Sequence, residues 1–483
     1  MTLLTIINYF IFFGSIFSDD LLNYSIVFPF SLISLSEIED ISLYNESLTK
    51  SIIRDLYESN IFITLKIGTP TQKIKLQINP NSDDFFIAKI DANFDIYYPK
   101  RNESYFYYNQ SLSSTFSYQV GKESETYFSH PHISHYVQDN IDFISTNNNK
   151  EINIQDFKFL LAAQVRESFQ GVIGLKGFSS IPGRKDFFTS LKDYNLTNNY
   201  IWFLKFNNSK SGDLIIGNYP HNDKFNNKNC NNDCLFKKKH FVKIYSNISE
   251  KSWKSQWGLN FKKIFIQNKD NLEEILSDCE KCKLVEFNPN LGIIKGSQKY
   301  KNIINELLFN NYINKNICFS DIITINKNYE ENEYYYYYCN ISIKNELKNK
   351  INSIIFEHSV FNTNFSLDFN DLFIEKGNYI FFKIIFDDYY NWIFGSTFMK
   401  KYMLIFNAES KEIGFYSENI NNVDKENNDD KNNDKNDLLI KIIVIIVLSI
   451  ILIIIGVLIG KKLFGIKRKA RLNELEDDFE IEK

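Results

Sequence analysis

Long helical patterns are scarce in this sequence. Across 483 residues alanine is sparse and few long stretches carry apolar residues at a 3.6-residue period, which excludes a helical bundle. Charge of one sign is also lacking. A formal net charge of −4 offers no basic surface to nucleic acid. All six cysteines lie after residue 229, so the first half has no bridge of its own. The opening apolar run, MTLLTIINYFIFFGSIFSDD, contains no Lys or Arg.

Tyr, Phe, Ile and Asn fill the space instead. Short aromatic and β-branched runs separated by Asn, Asp, Ser and Gly predict a mainly β chain, with Tyr334–Tyr338 as a strand packed on one face. The first 18 residues have the length and small-residue end of a signal peptide despite the missing basic residues. Ile442–Gly460 is apolar and long enough to span ~30 Å of hydrocarbon. Lys461, Lys462, Lys467, Arg468, Lys469 and Arg471 follow it, which predicts a cytoplasmic C-terminus. The expectation is a single-pass type I membrane protein of the secretory route, at the cell surface or an endosomal or vacuolar membrane.

The expected organisation is a signal peptide (1–18), an N-terminal segment and candidate pro-region (19–56), two β lobes (57–220 and 221–416), and an acidic, Asn-rich stalk (417–437). A transmembrane helix (438–460) and a tail (461–483) complete it. The stalk cannot bury apolar surface and reads as disordered. Six cysteines in a secreted ectodomain predict three disulfides; the alternative is a Cys₄ zinc site from Cys230, Cys234, Cys279 and Cys282. Asn-x-Ser/Thr sequons beginning at Asn23, Asn45, Asn102, Asn109, Asn195, Asn207, Asn247, Asn340 and Asn364 fit a glycosylated ectodomain.

The stretch YESNIFITLKIGTPTQKIKLQINPNSDDFFIA from Tyr57 is more specific. It alternates as a strand, turns at Ile67-Gly68-Thr69-Pro70, and returns into Asn79-Pro80-Asn81. This resembles the N-terminal hairpin of the pepsin-like aspartic proteases, where an IGTPxQ turn and a returning strand lead into Asp-Thr-Gly-Ser. The likeness continues through Ser113–Phe116, Gln170–Leu175, Gly212–Gly217, Ser252–Leu259, Trp392–Gly395 and Ile413–Phe415. It implies two β lobes about a pseudo-twofold axis, a peptide-binding cleft between them, and no cofactor or metal. Phe287-Asn288-Pro289-Asn290 then falls where the second Asp-Thr-Gly belongs. The resemblance also implies bridges Cys279–Cys282 and Cys318–Cys339, and Cys230–Cys234 is the third expected pair.

At both catalytic positions, Asn79 and Asn288, an amide replaces the carboxylate that the family uses as acid or base. An amide cannot accept a proton near neutral pH, and acid–base help is worth roughly 10²–10⁴ per group. Pro80 and Pro289 lack the hydroxyl and N–H by which the family's Thr cross-links the two loops. Asp83, Asp84 and Glu286 are the acids near the triplets. Tyr127, or Tyr136, is the candidate flap tyrosine over the cleft. His130, His132 and His135 read as a polar hairpin tip rather than a metal site. From Asp19 to Leu56 only Lys50 and Arg54 stand against seven acids, unlike a basic prosegment. The expected function is a peptide- or protein-binding pseudoprotease. The alternatives are an active aspartic endopeptidase using rearranged acids, and a structural surface glycoprotein.

Overall fold

Runs such as IVFPFSLI and NIFITLKI carry β-branched and aromatic residues on alternate positions, and these pack well on a pleated, half-buried surface. The computed structural model describes residues 25–33, 47–82, 85–94, 104–128, 130–145, 151–165, 171–177, 186–197, 199–220, 240–246, 257–268, 272–275, 284–327, 330–358, 364–388 and 391–417. The signal peptide, the stalk after Ser417, the membrane span and the tail lie outside them. Among the described residues no helix is long and apolar enough to cross a membrane. Residues Met1–Asn419 form one compact unit.

That unit is built on a 13-stranded and a 12-stranded sheet. The larger sheet is shared between the two halves of the chain. Ile405–Asn407, near the end, pairs antiparallel with Ile201–Phe206, and Glu412–Ser417 pairs with Ile405–Asn407. The stacked pair Trp202 and Phe406, with ring centroids 4.1 Å apart, packs the junction. Trp257 meets Phe406 edge-on at 5.2 Å, and Phe287 meets it at 6.1 Å. An aromatic chain therefore runs from the shared sheet to the residue before Asn288.

Part of the N-terminal segment is inside the sheet. The strand Ile26–Ile33 pairs with Ser211–Ile216 on one flank. On its other flank Ile26 and Val27 face Ser145 and Ile144, and Phe30–Ile33 face Ile63–Asn60. Pro29 sits at the break between those two pairings, where its missing N–H costs no ladder bond. The helix Leu48–Tyr57 follows. Ser47 caps it, its hydroxyl accepting from the Lys50 N–H at 3.4 Å, as Ser at an N-cap is suited to do.

In the second sheet, Cys318–Lys327 and Glu330–Asn340 form a hairpin whose first register pair, Cys318 and Cys339, is a disulfide. The tyrosine run is a strand, but it packs on both faces rather than one. Tyr334 and Tyr336 are buried beneath the helix Leu48–Tyr57, and Tyr337 stacks on Phe309 with centroids 4.6 Å apart. A layer on each side of the hairpin is the reason.

Candidate functional site

Each Asn-Pro-Asn triplet ends a strand and is held from beside by a short apolar strand closing on glycine. In the first, Gln72–Asn79 runs parallel to Gly171–Gly174, with Asn79 opposite Gly174, while Phe85–Ile87 pair antiparallel with Ile173–Gly171. In the second, Leu284–Phe287 runs parallel to Trp392–Phe394, and Ile294–Lys295 pair antiparallel with Phe394–Ile393. The two arrangements are the same motif used twice.

Their hydrogen bonds match as well. Asn79 Oδ1 accepts from the Asn81 N–H at 3.0 Å, and Asn288 Oδ1 accepts from the Asn290 N–H at 3.1 Å. Each loop is closed by a backbone bond across three residues, Ser82 N–H to Asn79 O and Leu291 N–H to Asn288 O. Pro80 and Pro289 are both buried and the flanking asparagines half-buried. Proline suits this turn: the fixed φ presets it, and the side-chain amide two residues back satisfies the next N–H. Gly395 is required beside the second loop, because a Cβ there would lie 2.2 Å from the carbonyl oxygens of Leu291 and Ile293.

The symmetry ends at the third residue. Asn290 Nδ2 donates to the Ile78 carbonyl at 2.8 Å, and its Oδ1 accepts from the Ile61 N–H at 3.0 Å. One side chain from the second half thus ties down two strands of the first. Its counterpart Asn81 has a buried Oδ1 with no hydrogen-bond partner among the described residues. The first loop is instead held from its proline, where Trp257 Nε1 donates to the Pro80 carbonyl at 3.2 Å.

A family model for eukaryotic aspartyl proteases matches residues 60–417, a span that contains both triplets and both supporting strands. The chain belongs to this family. No curated protein matches it. The mainly β architecture expected of a pepsin-like chain is the one observed.

In this aspartyl protease domain the N-terminal helix sits against the second triplet loop. Glu58 forms an antiparallel bridge with Leu291, and a Cβ on Gly292 would lie 2.2 Å from the Leu56 carbonyl oxygen. Ile53 and Tyr57 share a core with Leu291 and Ile293. The half-buried helix face is also held by polar contacts. Arg54 donates to the Thr324 carbonyl at 3.0 Å, and the Tyr57 and Tyr334 hydroxyls are 3.1 Å apart. Burial, with Tyr334, Glu58 and Asp387 nearby, pushes the Tyr57 phenol well above its usual range. It stays neutral.

One buried ion pair lies just past the second loop. Lys295 Nζ and Asp387 Oδ2 are 2.5 Å apart, with side chains only 9% and 3% exposed. The pair is tied to its surroundings, the ammonium lying 5.8 Å from the centre of the Tyr334 ring. Glu286, the acid before the second triplet, accepts from Asn391 Nδ2 at 3.0 Å.

The other predicted residues divide as follows. Cys318–Cys339 is bridged as expected. Cys230, Cys234, Cys279, Cys282, Asp83 and Asp84 lie outside the described residues. Tyr127 lies on the strand Ser117–Phe128, opposite Pro131 in the hairpin with His130–Ser145, and its side chain is outside the description. Tyr136 packs against the apolar cluster around Leu160 and Val172. His135 meets Tyr118 edge-on at 6.0 Å, and no metal-holding cluster occurs among the described residues.

Sequence reasoning missed three parts of the site: the cross-link from Asn290, the Trp257 contact, and the helix. The spacing of Leu48, Ile52, Ile53, Leu56 and Tyr57 after a capping serine was a legible helix signal. Nothing local in the sequence announces the other two, which join residues far apart in the chain.

Proposed function

We propose that this chain is a membrane-anchored aspartyl protease homologue that has lost catalysis and binds an extended peptide or protein segment in its cleft. One observation carries the reading. The two asparagines, aligned with the family's catalytic aspartates in the motif likeness, occupy matched positions with matched hydrogen bonds. Both amide oxygens already accept a backbone N–H, and both Nδ2 groups are donors only. Such a pair can hold a carbonyl. It cannot take a proton from water, which is the step a carboxylate dyad performs.

The reading with rearranged acids draws on Asp83, Asp84 and Glu286. Glu286 accepts from Asn391, so recruiting it would break an existing contact. Peptide binding by strand addition needs backbone groups and side-chain pockets rather than a dyad.

The test is a cleavage assay on purified protein across pH 3–7 with denatured protein substrates, with and without a transition-state-analogue peptide. The expected result is no inhibitable cleavage, together with crosslinking of a bound peptide near Asn79, Asn288 or Tyr127. Inhibitor-sensitive turnover abolished by E286Q, D83N or D84N would overturn the proposal. Failure of every peptide to crosslink would leave the scaffold reading, a surface glycoprotein that keeps only the fold.

A further inference from the structure

The outermost strand of the 12-stranded sheet is Asn364–Asp368, paired antiparallel with Ser353–His358. Among the described residues no strand pairs with its other flank. An open flank of this kind is a template for another chain, and side chains close two of its rungs. Tyr402 closes one: its hydroxyl accepts from the Ser366 N–H at 2.7 Å and donates to the Ser366 carbonyl at 2.9 Å. Asp371 closes the next, its carboxylate accepting from the Asp368 N–H at 2.9 Å. Inward and outward residues alternate in an antiparallel ladder. Asn364, two residues before Ser366, therefore also turns its N–H and carbonyl outward. It is exposed, and its side chain makes no hydrogen bond among the described residues.

Asn364-Phe365-Ser366 is one of the sequons. We propose that Asn364 carries an N-linked glycan and that this glycan guards the rung that no side chain closes. The inference rests on the secretory route of the membrane-anchored reading, and not on whether the cleft binds or cleaves a peptide. The donor is an oligosaccharide esterified through a diphosphate to a lipid. Asn364 Nδ2 bonds to C1 of its first sugar, the C1–O bond to phosphate breaks, and the lipid diphosphate leaves. The amide gives up one proton to a base of the transferring enzyme.

The strand has room for this group. Phe365 and Leu367 point into the core, 1% and 0% exposed, so Asn364 projects from the opposite face. A strand adding to the open flank would lie about 4.8 Å away, inside the volume that a glycan on Asn364 sweeps. Other described sequons are engaged differently. Asn109 is half-buried, its Oδ1 accepting from the Ser111 N–H at 3.1 Å, and Asn207 Nδ2 donates to Asp213 at 3.0 Å. Asn195 is exposed but follows the helix Phe187–Asp193 and lies on no strand.

The experiment is glycopeptide mass spectrometry of the full-length protein from a eukaryotic secretory host, with N-glycans released enzymatically in heavy-oxygen water. Size-exclusion chromatography in detergent over a range of concentrations follows. Expected are a glycan on Asn364 in most chains, its loss in N364Q and S366A, and stronger concentration-dependent association of both variants than of wild type. N364K also lacks the glycan but places a cation on the edge, and its association should return to the wild-type level. N195Q, which alters a sequon away from this edge, should associate no more than wild type. A bare Asn364 beside glycans at other sequons overturns the proposal and leaves the secretory route standing. Glycans at no sequon overturn both. Association of N364Q and S366A no greater than that of wild type, or matched by N195Q, overturns the guarding role.

Discussion

Asn290 donates to the carbonyl of Ile78 across the junction of the two triplet loops, at 2.8 Å. The two loops are joined by the third residue of one triplet and, from the other side, by the Trp257 indole on the Pro80 carbonyl at 3.2 Å.

N290A removes both bonds of that amide and leaves the Ile78 carbonyl and Ile61 N–H without their partner. Each buried group left unsatisfied costs about 1–3 kcal/mol. The expected result is a fall of several degrees in the thermal midpoint. N290D keeps the acceptor for Ile61 but loses the donor for Ile78, and should fall between the two. An unchanged midpoint in N290A would show that the cross-link contributes nothing to stability.

The double substitution N79D/N288D places a carboxylate on each of two loops that Asn290 links, where a backbone N–H already faces each position. The expected outcome is a shared proton and titration as a coupled pair. Weak, inhibitor-sensitive proteolysis at acid pH is expected of the double variant and of neither single variant. Activity in wild type equal to the double variant would contradict the loss of catalysis.

Removing one partner of the Lys295–Asp387 pair strands a buried charge. K295M should cost about 3–5 kcal/mol, and the pairwise apolar replacement K295M/D387L should recover much of it. Chemical denaturation of the three proteins measures the difference. Equal losses in K295M and K295M/D387L would show that leaving Asp387 alone in the interior costs nothing.

His358 is 2% exposed, and burial lowers its imidazole from 6.5 to about 4. The folded state therefore favours the neutral ring, and between those values the unfolded chain binds a proton that the folded chain refuses. This contribution is intact above the unfolded pKa and is lost as pH falls from 6.5 toward 4, an effect of at most about 3 kcal/mol. Thermal midpoints of H358F should decline less over that window than those of wild type. Parallel declines would locate the acid sensitivity elsewhere.

The family, the mainly β architecture and the turn at Gly68–Pro70 were readable because each is written in adjacent residues, and the bridge at Cys318–Cys339 followed from the family likeness. The equivalence of the two triplets was readable for the same reason, since both follow an apolar strand. Asn290 was read only as a bulkier residue at a glycine position. Its role depends on Ile61 and Ile78, which reach it through the packing of two sheets. The tyrosine run was read with one packed face because alternation cannot reveal that a helix covers one side and Phe309 the other.

The strand Ile26–Ile33 has a consequence for how the N-terminal segment can be handled. It is an interior rung, hydrogen-bonded along both flanks, and not a wrapping laid over a finished body. Cutting the chain after it would sever a covalent bond while leaving the ladder intact, so the fragment would travel with the remainder as a non-covalent subunit. Pulling it out would open a slot with two exposed edges, and a β-edge is a template for the next strand that arrives.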